Sequence, residues 1–118
     1  MNKIAIDTSV IVEYIDEKGE YHEQAKAIFT TLITGKLEAI IPHPILAETY
    51  YVSARIYEKL GFKEPEKIAL KLIKWLYRLP TIEIPNGINL VIGAGQVKMK
   101  YGLALTDCYV LALSLIHI

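Results

Sequence analysis

The sequence predicts an α/β layer fold built on a parallel sheet. Short apolar runs at Lys3 to Asp7, Leu37 to Ile41 and Thr81 to Ile84 alternate with longer segments whose apolar residues recur at helical spacing, the pattern of strand–helix–strand units. The opening run has almost no polar interruption, which suits a strand covered on both faces. It also delivers a carboxylate, Asp7, at its end, just where Thr8 and Ser9 start a helix. In open α/β sheets ligands sit in the crevice outside the carboxyl ends of the strands, so Asp7 lies where a site is expected.

The elements follow in order. A short helix from Ser9 to about Ile15 carries Val10, Ile11, Tyr14 and Ile15 as its apolar stripe, and the polar run Asp16 to Gly19 turns the chain. A second helix, about Glu20 to Thr34, stops at Gly35, which suits the left-handed position after a helix. Pro42 closes the next strand, and Pro44 stands in the first turn of a long helix reaching about Leu60, with Gly61 past its end. From Pro65 to about Leu79, Ile68, Leu72, Trp75, Leu76 and Leu79 form a buried stripe. Pro80 and Pro85 bracket the third strand. Asn89 to Tyr101 reads as a helix that tolerates Gly93 and Gly95, Gly102 ends it, and Leu105-Thr106-Asp107 opens a last, apolar helix.

At 118 residues and 53% hydrophobic, the chain is one domain with enough apolar side chains for a core. Thirteen basic residues balance thirteen acidic ones, so net charge gives no general attraction to a polyanion. The distribution is uneven: residues 1–50 hold four Lys and eight Asp or Glu, whereas residues 51–118 hold nine Lys or Arg and five acids. That asymmetry suits a metal held on one side and phosphates on the other, or equally a set of solvated helix faces. A single cysteine, Cys108, excludes an internal disulfide and fits a reducing compartment. With no signal-peptide pattern and no apolar run near the roughly 20 residues of a membrane span, a soluble cytoplasmic protein is expected.

Two further acids join Asp7. Glu48 sits at the margin of the stripe Ile45, Thr49, Val52, Ile56, where a partly buried carboxylate needs a cation or a shifted pKa. Asp107 follows Thr106, which reads as an N-cap, in the first turn of the last helix. Singly, each acid has a plain structural role: Asp7 as a cap, Glu48 as a solvated residue, Asp107 as a partner of the helix dipole. Together, three converging carboxylates repel one another unless a hard divalent ion such as Mg²⁺ or Mn²⁺ lies between them, and such an ion suits phosphoryl transfer to water.

Ile6-Asp7-Thr8-Ser9-Val10, Ala47-Glu48 and Leu105-Thr106-Asp107-Cys108-Tyr109-Val110-Leu111-Ala112 resemble the three signature segments of PIN domains, especially the toxin ribonucleases of VapC type. The resemblance spans nearly the whole chain. It implies a three-layer α/β/α sandwich with a parallel sheet, Mg²⁺- or Mn²⁺-dependent endoribonuclease activity, a homodimer, and inhibition by a small antitoxin protein. It also implies that Asp7, Glu48 and Asp107 are the metal-binding catalytic acids, with Ser9 and Thr106 as supporting polar groups.

The pattern departs from the family at its end, where another strand and a fourth acidic or polar residue usually follow. Leu113 to Ile118, Leu-Ser-Leu-Ile-His-Ile, match a translation of the transposon-end adaptor used to prepare sequencing libraries. The expectation is a single domain over 1–118, lacking its last strand or strands, with Leu115, Ile116 and Ile118 exposed and residues 113–118 foreign to the protein; the plain alternative is an apolar helix tail.

Other features carry less. His22, His43 and His117 have no metal-ligand spacing, Ser9 has no His partner, and Cys108 beside Asp107 reads as a small buried residue. Tyr50, Tyr51, Tyr57, Trp75 and Tyr77 are expected in core or dimer packing rather than base stacking. Arg55, Lys59, Lys71, Lys74 and Arg78 are the candidates for RNA phosphate contacts. Against the ribonuclease stand two alternatives: a degenerate PIN module that binds RNA or a protein without cutting, and a phosphoacceptor domain using Asp7, which lacks a second acid two residues on.

Overall fold

The computed structural model of the chain describes residues 3–116. Three short strands, β1 (Lys3–Ala5), β2 (Glu38–Ile40) and β3 (Ile82–Glu83), form a wholly parallel sheet in the order β1-β2-β3. Lys3, Ile4 and Ala5 pair with Glu38, Ala39 and Ile40, and Ala39 and Ile40 pair with Ile82 and Glu83. Parallel neighbours require crossovers. Helices α1 (Thr8–Ile15) and α2 (His22–Ile33) link β1 to β2, and α3 (His43–Lys59) and α4 (Pro65–Arg78) link β2 to β3. Two more, α5 (Ile88–Tyr101) and α6 (Leu105–Ile116), follow the sheet.

Alternation along the strands sorts their side chains into two cores. Ile4, Ile6, Ala39, Ile41 and Ile82 face the larger, which α1 to α4 close with Ile11, Phe29, Leu32, Ile45, Leu46 and Leu76. Ala5 and Ile40 face the other way, onto Leu90, Ala94 and Val97 of α5 and Cys108, Ala112 and Leu113 of α6. The result is helices, sheet, helices. This is the three-layer α/β/α arrangement that the family resemblance implies, and among the described residues β1 forms one edge of its sheet.

Aromatic stacking ties the larger layer together. Tyr14 of α1, Phe29 of α2 and Trp75 of α4 stack in series, with ring centroids 4.2 Å apart for Tyr14–Phe29 and 5.9 Å for each contact with Trp75. Trp75 is therefore a core residue. Tyr51 and Tyr77 are not: they are 58% and 62% exposed, Tyr51 lying under the Arg55 guanidinium. Of the core or dimer packing expected for these two, their place on outward helix faces excludes the core. Cys108 is a free, fully buried thiol, as its apolar helix setting predicts.

The strands are shorter than their apolar runs, because the pairing stops where the chain bends into helices. Leu115 is largely exposed, as expected, and Leu113 is fully buried in the second core. His117 and Ile118, and the side chain of Ile116, lie outside the described residues. Among those described, no helix is long and apolar enough to cross a membrane.

Two measurements test this packing. Phe29→Ala removes a fully buried ring and is expected to cost about 3 to 5 kcal/mol, read as a lower urea midpoint with an unchanged slope. Burial raises the Tyr57 phenol above its usual value of 10.0. A proton held more tightly in the folded state stabilises the fold below the unfolded value, and that contribution is lost as pH rises through the folded one. Stability should thus fall above about pH 10, and less steeply in Tyr57→Phe.

Candidate active site

All three strands run the same way, so the loops at their carboxyl ends gather on one edge of the sheet. Asp7 follows β1 and caps α1: its φ of −101° and ψ of 176° are extended, and its Oδ1 accepts the Val10 N–H at 3.3 Å. The Ser9 hydroxyl donates to the same oxygen at 2.6 Å. Asp7 thus caps its helix through Oδ1, and among the described residues Oδ2 makes no hydrogen bond.

Glu48 reaches the same edge from α3. Pro42 and Pro44 start that helix directly after β2, and burial of Ile45 and Thr49 turns the intervening Glu48 to the side, half-buried. Its partners are hydroxyls. Thr8 Oγ1 donates to Glu48 Oε1 in a short hydrogen bond, and Thr106 Oγ1 donates to Oε2 at 3.4 Å. Two neutral donors on two other helices thus hold both oxygens of the carboxylate in place.

The third acid arrives from the opposite layer. Gly102 ends α5 with a φ of 67°, a left-handed turn that a side chain disfavours, and its N–H closes onto the Lys98 carbonyl at 2.8 Å. That turn sends the chain back toward β1, and α6 begins with Asp107, exposed, in its first turn. Thr106 lies inside the turn rather than ahead of it, since α6 starts at Leu105. This corrects its reading as an N-cap: its hydroxyl serves Glu48 instead.

Asp7, Glu48 and Asp107 line one cleft of about 440 Å³, with Thr8, Ser9 and Thr106 between them and Ile45 and Val52 as its apolar wall. Among the described residues, no Lys, Arg or His lines it. Among the described residues, however, no three His, Cys, Asp or Glu side chains stand close enough to hold a metal ion. Two of the three carboxylates are held by hydrogen bonds, Asp7 by Ser9 and the Val10 N–H and Glu48 by two threonine hydroxyls.

Two lining residues escaped the sequence reading. Thr8 is 8% exposed and was read only as a helix starter; a buried hydroxyl needs an acceptor, and that need was the available signal. Glu13 adds a fourth acid, one helical step of four residues from Ser9, while its Oε2 accepts the Tyr21 N–H at 3.2 Å and braces the turn before α2. The basic candidates lie elsewhere. Arg55, Lys59, Lys71, Lys74 and Arg78 are exposed on α3 and α4, and none lines the cleft. Of the histidines, His22 Nδ1 sits 2.9 Å from the Glu13 carbonyl oxygen, and His43 opens α3.

A family model for the PIN domain matches residues 4–117. No curated protein matches the chain.

The Glu48 clamp is testable. Thr8→Val keeps the side-chain shape but strips one donor from a half-buried carboxylate, and is expected to lower unfolding free energy by about 1 to 3 kcal/mol. Thr8→Ser should retain most of the stability. Equal urea midpoints for the two variants would show that the hydroxyl contributes nothing.

Proposed function

The chain belongs to the PIN domain family, and from that premise we propose that it is a metal-dependent endoribonuclease of VapC type, the toxin of a toxin–antitoxin pair. PIN domains are in general nucleases that use divalent ions, with RNA as substrate. The observation that carries the reading is the cleft: three carboxylates, one after β1, one on α3 and one on α6, face one space whose lining, among the described residues, has no basic side chain.

The donor set fits a hard ion such as Mg²⁺ or Mn²⁺, since every polar side chain of the lining offers oxygen and none offers nitrogen or sulfur. Asp7, Glu48 and Asp107 would hold it. When bound, such an ion polarises the phosphodiester and lowers the pKa of an attacking water. The chain's own residues do the positioning. Thr8 and Thr106 fix both oxygens of Glu48, and Ser9 with the first turn of α1 fixes one oxygen of Asp7, leaving the other available. Asp107 carries its charge at the N-terminus of α6, where the helix dipole favours an anion.

Substrate contacts extend along α3. Glu48, Val52, Arg55 and Lys59 are spaced four, three and four residues apart, so the two cations continue the face that begins in the cleft. Lys71, Lys74 and Arg78 form a similar stripe on α4, and these five serve RNA phosphates. A homodimer and a cognate antitoxin are supported by the large apolar side chains left exposed, among them Ile88, Ile92 and Met99 of α5. The free, buried Cys108 supports a cytoplasmic setting.

The open spacing of the acids favours a second reading, a degenerate module that binds RNA or a protein without cleavage. Two experiments separate the readings. Asn caps helices as well as Asp does, so Asp7→Asn should leave the circular dichroism spectrum intact while abolishing the Mg²⁺-dependent RNA cleavage of the wild type; cleavage retained by the variant would take Asp7 out of the site, and none by the wild type would favour the binding module. Mn²⁺ at about a hundredfold over its Kd should stabilise the wild-type fold by about 2.7 kcal/mol. The binding module would show no such gain.

A further inference from the structure

A second, smaller cavity lies on the same edge of the sheet, and we propose that it takes one unpaired nucleobase of the RNA beside the phosphate held at the acidic cleft. This rests on the ribonuclease reading and adds a place where sequence is recognised. The cavity measures about 120 Å³ and is lined by His43, Pro44, Asn86, Gly87, Leu90 and Tyr109, together with Pro85 and Val91.

Its position follows from the topology. Asp7 comes directly after β1, His43 shortly after β2 and Asn86 shortly after β3, so all three stand at the carboxyl ends of parallel strands. Helix α6 joins the two sites. Asp107 lines the acidic cleft and Tyr109, two residues on, lines the small cavity. Two residues rotate a helix by about 200°, so these side chains leave opposite sides of one turn. A strand whose phosphate lies at Asp107 thus crosses one helix, about 10 to 12 Å wide with its side chains, to set a neighbouring base in the cavity.

The lining chemistry selects a base over other occupants. The acidic cleft is walled by four carboxylates, but among the described residues the small cavity has no Asp, Glu, Lys or Arg in its lining, so a metal meets no carboxylate there and a phosphate meets no charged side chain, only the starts of α3 and α5. It offers instead an imidazole, a phenol and a carboxamide set against proline and leucine. Single-stranded RNA is read in this way, with splayed bases stacked on aromatic or imidazole rings and hydrogen-bonded along their edges. Among the described residues, hydrogen bonds engage none of the side chains of His43, Asn86 and Tyr109, so their polar atoms are available to a ligand. Size agrees: pockets for drug-sized molecules run to about 300 Å³ or more, and this one suits a single ring system.

The test is end mapping after cleavage of a single-stranded RNA pool with randomised positions, in Mn²⁺. The wild-type protein should show a base preference at one position next to the scissile bond. Asn86→Ala and His43→Ala change exposed residues, and each should lower the ratio of best to worst base at that position by about tenfold. Cleavage by both variants with the wild-type preference intact would overturn the cavity's role alone. A wild-type protein that produces no Mn²⁺-dependent ends would overturn the nuclease reading and the cavity's ligand with it.

Discussion

One carboxylate, Glu48, holds together helices that the chain keeps far apart. Its two oxygens accept hydroxyls from Thr8, 40 residues away, and Thr106, 58 residues away, so α1, α3 and α6 meet at a single side chain. A well-formed hydrogen bond to a charged group is worth about 1.5 to 3 kcal/mol, enough to matter against a total stability of about 5 to 15 kcal/mol. The Thr8 contact is the stronger of the two, Thr106 standing at 3.4 Å. Both also fix geometry. Helices α1 and α3 belong to one layer and α6 to the other, so this contact crosses the carboxyl edge of the sheet and sets how the two layers close over it.

The rest of the site follows from that closure. The sheet delivers Asp7 to the edge and the positive φ of Gly102 returns α6 to it, but neither orients a side chain. Orientation comes from hydroxyls: Ser9 on Asp7, Thr8 and Thr106 on Glu48. A cleft built in this way holds negative charge without a basic partner in its wall. Such an arrangement is expensive for folding alone, and the proposed divalent cation would offset that cost.

The fold was largely legible because its rules are local. Alternation in Ile4-Ala5-Ile6 and Ala39-Ile40-Ile41 reports two buried faces, and prolines and glycines mark the helix ends. The three acids were visible too, each at an element boundary or stripe margin. Partners were not. That Thr8 would bury its hydroxyl against Glu48, that Thr106 would serve the same acid rather than cap its own helix, and that Glu13 would line the cleft all depend on how helices distant in sequence come to rest. Spacing within one helix places a residue on a face without saying what the face meets. Tyr51 and Tyr77 illustrate the same limit: their residue type suggested core or dimer packing, and tertiary arrangement left them outside the core.

In the proposed nuclease, Asp7, Glu48 and Asp107 surround one divalent cation. Anomalous scattering from crystals soaked in Mn²⁺ tests it most directly. The account predicts a peak in the cleft within coordination distance of all three carboxylates, Glu48 still bonded to Thr8. Well-ordered crystals at saturating Mn²⁺ with no peak there, or with a peak on one carboxylate alone, would contradict it.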